Sequence, residues 1–180
     1  IRDRLGESSG YWFGGGNVIL DSSGNILISG RYRNEGDART GTGAGARGLE
    51  CAVFSSKSTH SKFEKILSFS KDDLSHREEV VSIEGVSLLK SPNQDNKFDF
   101  IISTEKKIAY PKTLINFQKP GTGVWSIDIL SSVNGLASFK LNEMQTIASS
   151  EKGSTLHVKD PVGFNDCLLY TSDAADDTPC

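Results

Sequence analysis

Three segments of this chain repeat one strand-like pattern, and this repetition constrains the fold more than any other sequence feature. The segments GGGNVILD, IEGVSLLK and KDPVGFND end at Asp21, Lys90 and Asp166 and share the aligned valines Val18, Val86 and Val162. The alignment places Gly16, Glu84 and Asp160 at one equivalent position, 68 and then 76 residues apart (84 − 16 and 160 − 84). Such self-similarity predicts stacked or radially arranged units rather than one continuous sheet.

A second, independent pair of similar segments supports the same division. SSKSTHSKFEK from Ser55 and SSVNGLASFKL from Ser131 share a Ser-Ser start and a Phe eight residues further on, again 76 residues apart (131 − 55). Two different motifs with nearly the same spacing indicate that whole units are repeated, not single turns.

Short runs rich in β-branched and aromatic residues, separated by turn signals, dominate both units. The first unit reads NVIL, NILISGRYR, LECAVFS and FEKILSFS, and the second reads VSIEGVSLL, KFDFIIST, VWSIDILS and ASFKL. Four antiparallel strands per unit are typical of a propeller blade. The sequence therefore predicts an all-β fold, a β-propeller fragment with blades over 11–70, 79–141 and, incompletely, 144–166. A β-sandwich is the alternative; it explains the strands but not the equal spacing.

The end of the chain resembles translated sequencing-library sequence. The segment CLLYTSDAADD, from Cys167 to Asp177, is similar to a one-frame translation of a transposase mosaic end and its adapter. We therefore expect residues 167–180 to be an adapter-derived tail and exclude them from fold reasoning. Because the chain also begins at Ile1 rather than Met, the remainder is expected to be an internal fragment of a longer reading frame.

Composition excludes several classes of function. The net charge of −3 provides no basic surface, so nucleic acid is not an expected partner. No apolar run approaches the roughly 20 residues of a membrane helix, so no membrane partner is expected either. Outside the tail, Cys51 is the only cysteine, which excludes a disulfide framework and a cysteine-based metal site. No cofactor or metal is predicted, and neither oligomeric state nor cellular location is indicated.

Glu84 and Asp160 are the predicted catalytic residues. In a propeller, the innermost strands line a central channel, so equivalent positions on neighbouring blades converge on one pocket. Two carboxylates in different surroundings can supply one proton donor and one ionised partner, which is the chemistry of glycoside hydrolysis. The alternative is that each is a solvated or capping group at the start of a strand.

These motifs also resemble a known family. Lys159-Asp160-Pro161, and Glu84-Gly85 followed by a strand and FDFIIST, are similar to motifs of five-bladed β-propeller glycosidases of the arabinanase, invertase and levansucrase group. The resemblance implies that Glu84 is the general acid and that Asp160 orients substrate and tunes the acid. Along this chain Asp160 follows Glu84, the reverse of that family's usual order.

A second resemblance is to sialidases and other propellers with Asp-box repeats. It rests on the segments from Ser55 and from Ser131, which end in the expected aromatic residue but lack the Asp of the box. This resemblance implies an arginine clamp on a substrate carboxylate, and the candidates are Arg31, Arg33, Arg39 and Arg47. The alternative is that Arg31 and Arg33 pair with local acids such as Glu35 and Asp37.

The predicted function is therefore a glycoside hydrolase acting on a saccharide. Arg31, Arg33, Trp12 and His157 are the predicted substrate contacts, Trp12 as part of a sugar-stacking platform. Two alternatives stay open: a non-catalytic propeller that binds glycans or proteins, and a sialidase-like hydrolase that uses the arginine clamp. In the non-catalytic alternative, Glu84 and Asp160 hold neighbouring blades together by hydrogen bonds.

Overall fold

The computed structural model describes residues 11–33, 47–91, 94, 96–150, 158–165 and 170–172. A first sheet is antiparallel and contains strands β1 to β5. They span Trp12–Gly14, Val18–Leu20, Ile26–Arg33, Glu50–Ser56 and Glu64–Ser70. Both β1 and β2 pair with β3, so together they form one interrupted edge, and the order continues through β4 to β5.

A second antiparallel sheet repeats this up-and-down arrangement. Its strands β6 to β9 span Val80–Lys90, Phe98–Lys106, Val124–Ser131 and Gln145–Ser149 and lie in chain order. A two-stranded ribbon of β10, Gly163–Asn165, and β11, Tyr170–Ser172, completes the described elements. The all-β prediction is confirmed, and most strands of the first two predicted units lie in one antiparallel sheet each, with β9 beyond the predicted end of the second unit. The propeller arrangement itself stays a prediction.

The repeated segments share a structural irregularity at their equivalent positions. The first edge contains one residue more than its partner strand between Gly14 and Val18, and β6 contains one more than β7 between Ile83 and Val86. Asp160, at the matching place before β10, has a positive φ of 59°. Extra residues of this kind bend a strand and redirect its side chains, so the irregularity turns one position per unit out of the regular pleat.

The core lies between the two sheets. Alternate apolar residues of β3, β4 and β5 face alternate apolar residues of β6, β7 and β8, as strand periodicity requires. The main buried members are Leu27, Cys51, Val53, Phe69, Val86, Leu88, Phe100, Ile102 and Leu130. The Cys51 thiol contacts the carbonyl oxygen of Phe69, and burial raises the pKa of Cys51 to about 12, so it packs as an apolar group.

Asn17 joins the edge of the first sheet to β6. Its side-chain amide donates to the Leu88 carbonyl oxygen and accepts from the Leu88 N–H, each at 2.8 Å. The Val86 N–H donates to the Gly15 carbonyl oxygen at 2.8 Å. The buried backbone of β6 is therefore satisfied from a neighbouring sheet as well as from its own.

The opposite face of the first sheet is open. Val18 and Leu20 are 61% and 59% exposed, whereas their repeat equivalents Val86 and Leu88 are 2% and 1% exposed. The open face carries a small aromatic cluster and a groove of about 410 Å³, lined in part by Phe13, Val18, Ile28 and Phe63. The same residue types are thus covered by a sheet in the second unit and uncovered in the first.

One predicted strand is wrong in position. The fourth strand of the second unit was expected within 137–141, but it is Gln145–Ser149, which the sequence had assigned to the third unit. The Ser138 hydroxyl accepts from the Val133 and Asn134 N–H groups and closes a compact turn in this segment. Leu136 and Leu141 then pack against the core from 3₁₀ turns, and Phe139 packs from between these turns, where it forms an isolated β-bridge with Ser132.

The repeat provides a matched pair of substitutions. We expect Val86→Asp to lower the free energy of unfolding by at least about 3 kcal/mol, because an unpaired charge would be buried between the sheets. Val18→Asp, at the equivalent but exposed position, should change it by no more than about 0.5 kcal/mol. Urea denaturation followed by circular dichroism measures both, and equal losses would contradict the assigned packing.

Candidate functional site

Charged and aromatic side chains collect at one end of the two sheets. Strand β3 ends there at Arg33. In the second sheet, β7 ends and β8 begins at this end, where Lys106 and Val124 lie opposite each other. The side chains come from the edge of the first sheet, the segments preceding β4 and β10, and β3, β6, β7 and β8. They are Trp12, Arg31, Arg33, Arg47, Glu84, Glu105, Trp125, Lys159 and Asp160.

Trp12 is held against two arginines of β3. The guanidinium carbons of Arg31 and Arg33 lie 5.4 and 5.7 Å from the centre of the Trp12 ring, within the range of a cation–π interaction. The ring also covers Gly14, where an added Cβ would lie 2.5 Å from the indole. Arg31 and Arg33, which the strand period placed on one face, therefore contact the same ring; the sugar-stacking role of Trp12 stays a prediction.

Glu84 lies in the irregular part of β6 and joins the two sheets. An Arg31 side-chain nitrogen is 3.1 Å from a Glu84 carboxylate oxygen, and these side chains are 6% and 24% exposed. Arg31 is therefore nearly buried, while part of the Glu84 carboxylate stays open to solvent. This pair connects the first repeat with the second at the position that the alignment singled out.

Asp160 reaches the same place from the third repeat. It is exposed, and an added Cβ at Gly85 would lie 3.0 Å from its Cα and 3.1 Å from its Oδ1. Its positive φ is unusual for a residue with a side chain, and the following Pro161 restricts the backbone further. Asp tolerates this conformation better than most residues, and strained positions of this kind are concentrated at functional sites.

Behind Glu84 lies a buried ion pair that the sequence did not predict as a unit. Arg47, which precedes β4, donates to a Glu105 carboxylate oxygen, and the other Glu105 oxygen accepts from the Gly123 N–H at 2.7 Å. Glu105 is 1% exposed, and this burial raises its pKa above the usual value, although Gly123 and Arg47 act in the opposite direction. Nε of Arg47 is buried and has no hydrogen-bond partner among the residues that the structure describes.

The Trp125 ring contacts two cations, Arg47 and Lys159. The Arg47 guanidinium carbon lies 5.9 Å and the Lys159 ammonium nitrogen 5.5 Å from the centre of this ring. The residue after Arg47 is also anchored, since the Gly48 carbonyl oxygen accepts from the Ile83 N–H at 2.9 Å. The segment before β4 is thus fixed beside the irregular part of β6.

The predicted residues divide into two groups. Glu84, Arg31, Arg33 and Trp12 are joined by contacts, and Asp160 lies beside them. His157, Arg39, Glu35 and Asp37 fall outside the described residues, as does most of the predicted tail. Glu105, Trp125 and Lys159 were missed. The acid that ends the apolar run FDFIISTE is the sequence signal by which Glu105 could have been identified.

Two negative findings hold for the described ranges. They contain no group of three His, Cys, Asp or Glu side chains that could hold a metal ion. Within the same ranges, no helix has the length and apolar character that crossing a membrane requires.

Comparisons of the chain with protein-family models, with curated proteins and with solved structures each found no match. Any functional assignment therefore rests on the residues and geometry of this end of the sheets.

Burial of Glu105 predicts a pH effect on stability. Folding raises its pKa above 4.5, so as pH rises from there the unfolded state loses the proton first and stability falls. Glu105→Gln cannot ionise and should lose less stability between pH 4.5 and pH 7 than the parent protein. Urea denaturation at each pH measures this, with the exposed Glu143→Gln as control. An equal or steeper fall in Glu105→Gln would contradict the raised pKa.

Proposed function

We propose that the two antiparallel sheets are neighbouring blades of a β-propeller and that their charged end is a saccharide site used for glycoside hydrolysis. Each sheet is an antiparallel meander, and β6 packs against the first sheet on one side. On its other side, the Gly163 N–H of β10 donates to the Ser87 hydroxyl at 3.1 Å. Repeated meanders stacked through their innermost strands are the arrangement that a propeller requires.

The open face of the first sheet supports the same proposal. Val18 and Leu20 are the equivalents of Val86 and Leu88, which another sheet covers. In a ring of blades, every such face is covered by the preceding blade. The uncovered valine and leucine therefore have the character of a blade-to-blade contact.

One observation carries the functional proposal: three repeats each contribute a polar residue to one place. Arg31 of the first unit binds Glu84 of the second, and Asp160 of the third lies against Gly85. In the proposed mechanism Glu84 gives its proton to the glycosidic oxygen as the bond from that oxygen to the anomeric carbon breaks. Water adds to the anomeric carbon, and the proton that it loses returns through solvent to the Glu84 carboxylate, while the exposed Asp160 carboxylate orients the sugar. Because Glu84 is ion-paired with Arg31, bound substrate has to compete with this pair before Glu84 donates a proton.

The test of the general acid is an isosteric substitution. Glu84→Gln keeps the shape of the side chain and removes its ionisable proton. Turnover of a cleavable glycoside should fall by roughly two to four orders of magnitude while substrate binding is retained. Glu143→Gln, an exposed glutamate in the connection between β8 and β9, is the matched control and should keep full activity.

Product release from a panel of aryl glycosides, with binding measured separately, decides the result. Unchanged turnover in Glu84→Gln on every glycoside that the parent protein cleaves would reject Glu84 as the acid. Asp160→Asn should lower turnover while keeping the positive-φ backbone, because Asn also tolerates that conformation.

The Arg31–Glu84 contact also favours a second candidate, a propeller that binds glycans without cleaving them. An ion pair that joins two sheets is a structural use of Glu84. In that case the parent protein would release no product from any glycoside, and a glycan that it binds would remain intact after prolonged incubation. The same panel of substrates separates the two candidates.

A further inference from the structure

The candidate site contains cations that its own carboxylates do not neutralise. Arg31 pairs with Glu84, and Arg47 pairs with Glu105. In the part of the chain that the structure describes, no carboxylate oxygen lies within 4 Å of the charged groups of Arg33 or Lys159. The protein as a whole carries a net charge of −3, so this local excess of positive charge runs against its overall composition.

Both of these cations are restrained by aromatic rings. The Arg33 guanidinium lies 5.7 Å from the centre of Trp12, and the Lys159 ammonium lies 5.5 Å from the centre of Trp125. A cation over an indole keeps much of its ability to bind an anion and loses part of its freedom of movement. Arg33 belongs to the first repeat and Lys159 to the third, the two repeats that place Arg31 and Asp160 beside Glu84 and Gly85.

An independent feature points to a ligand on the Trp125 side. Arg47 is 6% exposed, and its Nε is buried without a hydrogen-bond partner, although an unused buried donor is costly. Its guanidinium shares the Trp125 ring with Lys159. Among the described residues, a buried donor without a hydrogen-bond partner and an ammonium group with no carboxylate oxygen within 4 Å therefore belong to side chains that contact the same indole.

We propose that the substrate of this site is an acidic oligosaccharide, with carboxylate or sulfate groups on the sugars on either side of Glu84. This inference rests on the proposed saccharide site. Arg33 binds the anionic group on one side and Lys159 the group on the other. A guanidinium matches the two oxygens of a carboxylate or sulfate, and an ammonium binds either as a point charge. An uncharged sugar would leave both cations without a partner.

Intrinsic fluorescence is suited to the test, because Trp12 and Trp125 are the only two tryptophans of the chain and both lie in the site. Three probes are titrated: trigalacturonate, a sulfated galactotriose and uncharged galactotriose. Variants with one tryptophan replaced by Phe assign each signal to one side of the site. Calorimetry on the same probes provides affinities that do not depend on fluorescence.

We expect at least one acidic probe to bind about tenfold more tightly than galactotriose, and more weakly as salt is added. Arg33→Gln and Lys159→Gln should each weaken that binding by about fivefold to tenfold, a larger loss than either causes for galactotriose. Lys62→Gln, an exposed lysine in the β4–β5 connection at the other end of the first sheet, is the control and should change nothing. Whichever acidic probe binds more tightly identifies the group as carboxylate or sulfate.

Equal binding of the three probes, or no binding of either acidic probe, would overturn the inference. So would unchanged affinity in both Arg33→Gln and Lys159→Gln, with circular dichroism establishing that the variants are folded. Hydrolysis is judged separately by product release: cleavage of uncharged glycosides without an acidic preference rejects the acidic substrate but retains the glycosidase. Tight acidic binding without any cleavage retains this binding site and rejects hydrolysis.

Discussion

Strand β6 is covered on both faces, and the need to cover it determines how the other described elements pack. Its eleven residues, Val80–Lys90, are all buried or half-buried, with the first sheet on one side and β10 on the other. A strand in this position has to be apolar on both faces, which explains the run VVSIEGVSLL. The single charged residue inside that run, Glu84, is tolerated because the extra residue of the strand brings it to Arg31.

The same burial requires that charges be paired. Five charged side chains of the two sheets and of the segment before β4 are buried, and every one of them has an oppositely charged partner. They are Arg31, Arg47, Lys106, Glu105 and Asp128. The Asp128 carboxylate accepts from Lys106 and from the Thr104 hydroxyl, and Lys106 also donates to the Thr146 hydroxyl. Pairing at the ends of the strands therefore maintains the packing of the sheets and, at Arg31 and Glu84, also forms the candidate site.

Residues whose position follows from local pattern were predictable. Glu84 and Asp160 were singled out as candidates because the repeat aligned them, and the common strand face of Arg31 and Arg33 followed from the period of a strand. Glu105 and Trp125 were missed because they become neighbours of Glu84 only through the register of β7 and β8 and the path of the chain at Arg47. The fourth strand of the second unit was misplaced because Ser138 closes a turn whose hydrogen bonds have no distinctive sequence pattern.

The sequence by itself determined the all-β class, the similarity of the two antiparallel sheets and the equivalence of the positions of Gly16, Glu84 and Asp160. These properties depend on alternation and turn residues, which act over a few positions of the chain. Tertiary structure alone decided that Glu84 binds Arg31, that Glu105 binds Arg47, and that Val86 is buried while Val18 is exposed. These contacts join residues of different sheets, and only the packing of one sheet against another determines which buried charges meet and which apolar faces are covered.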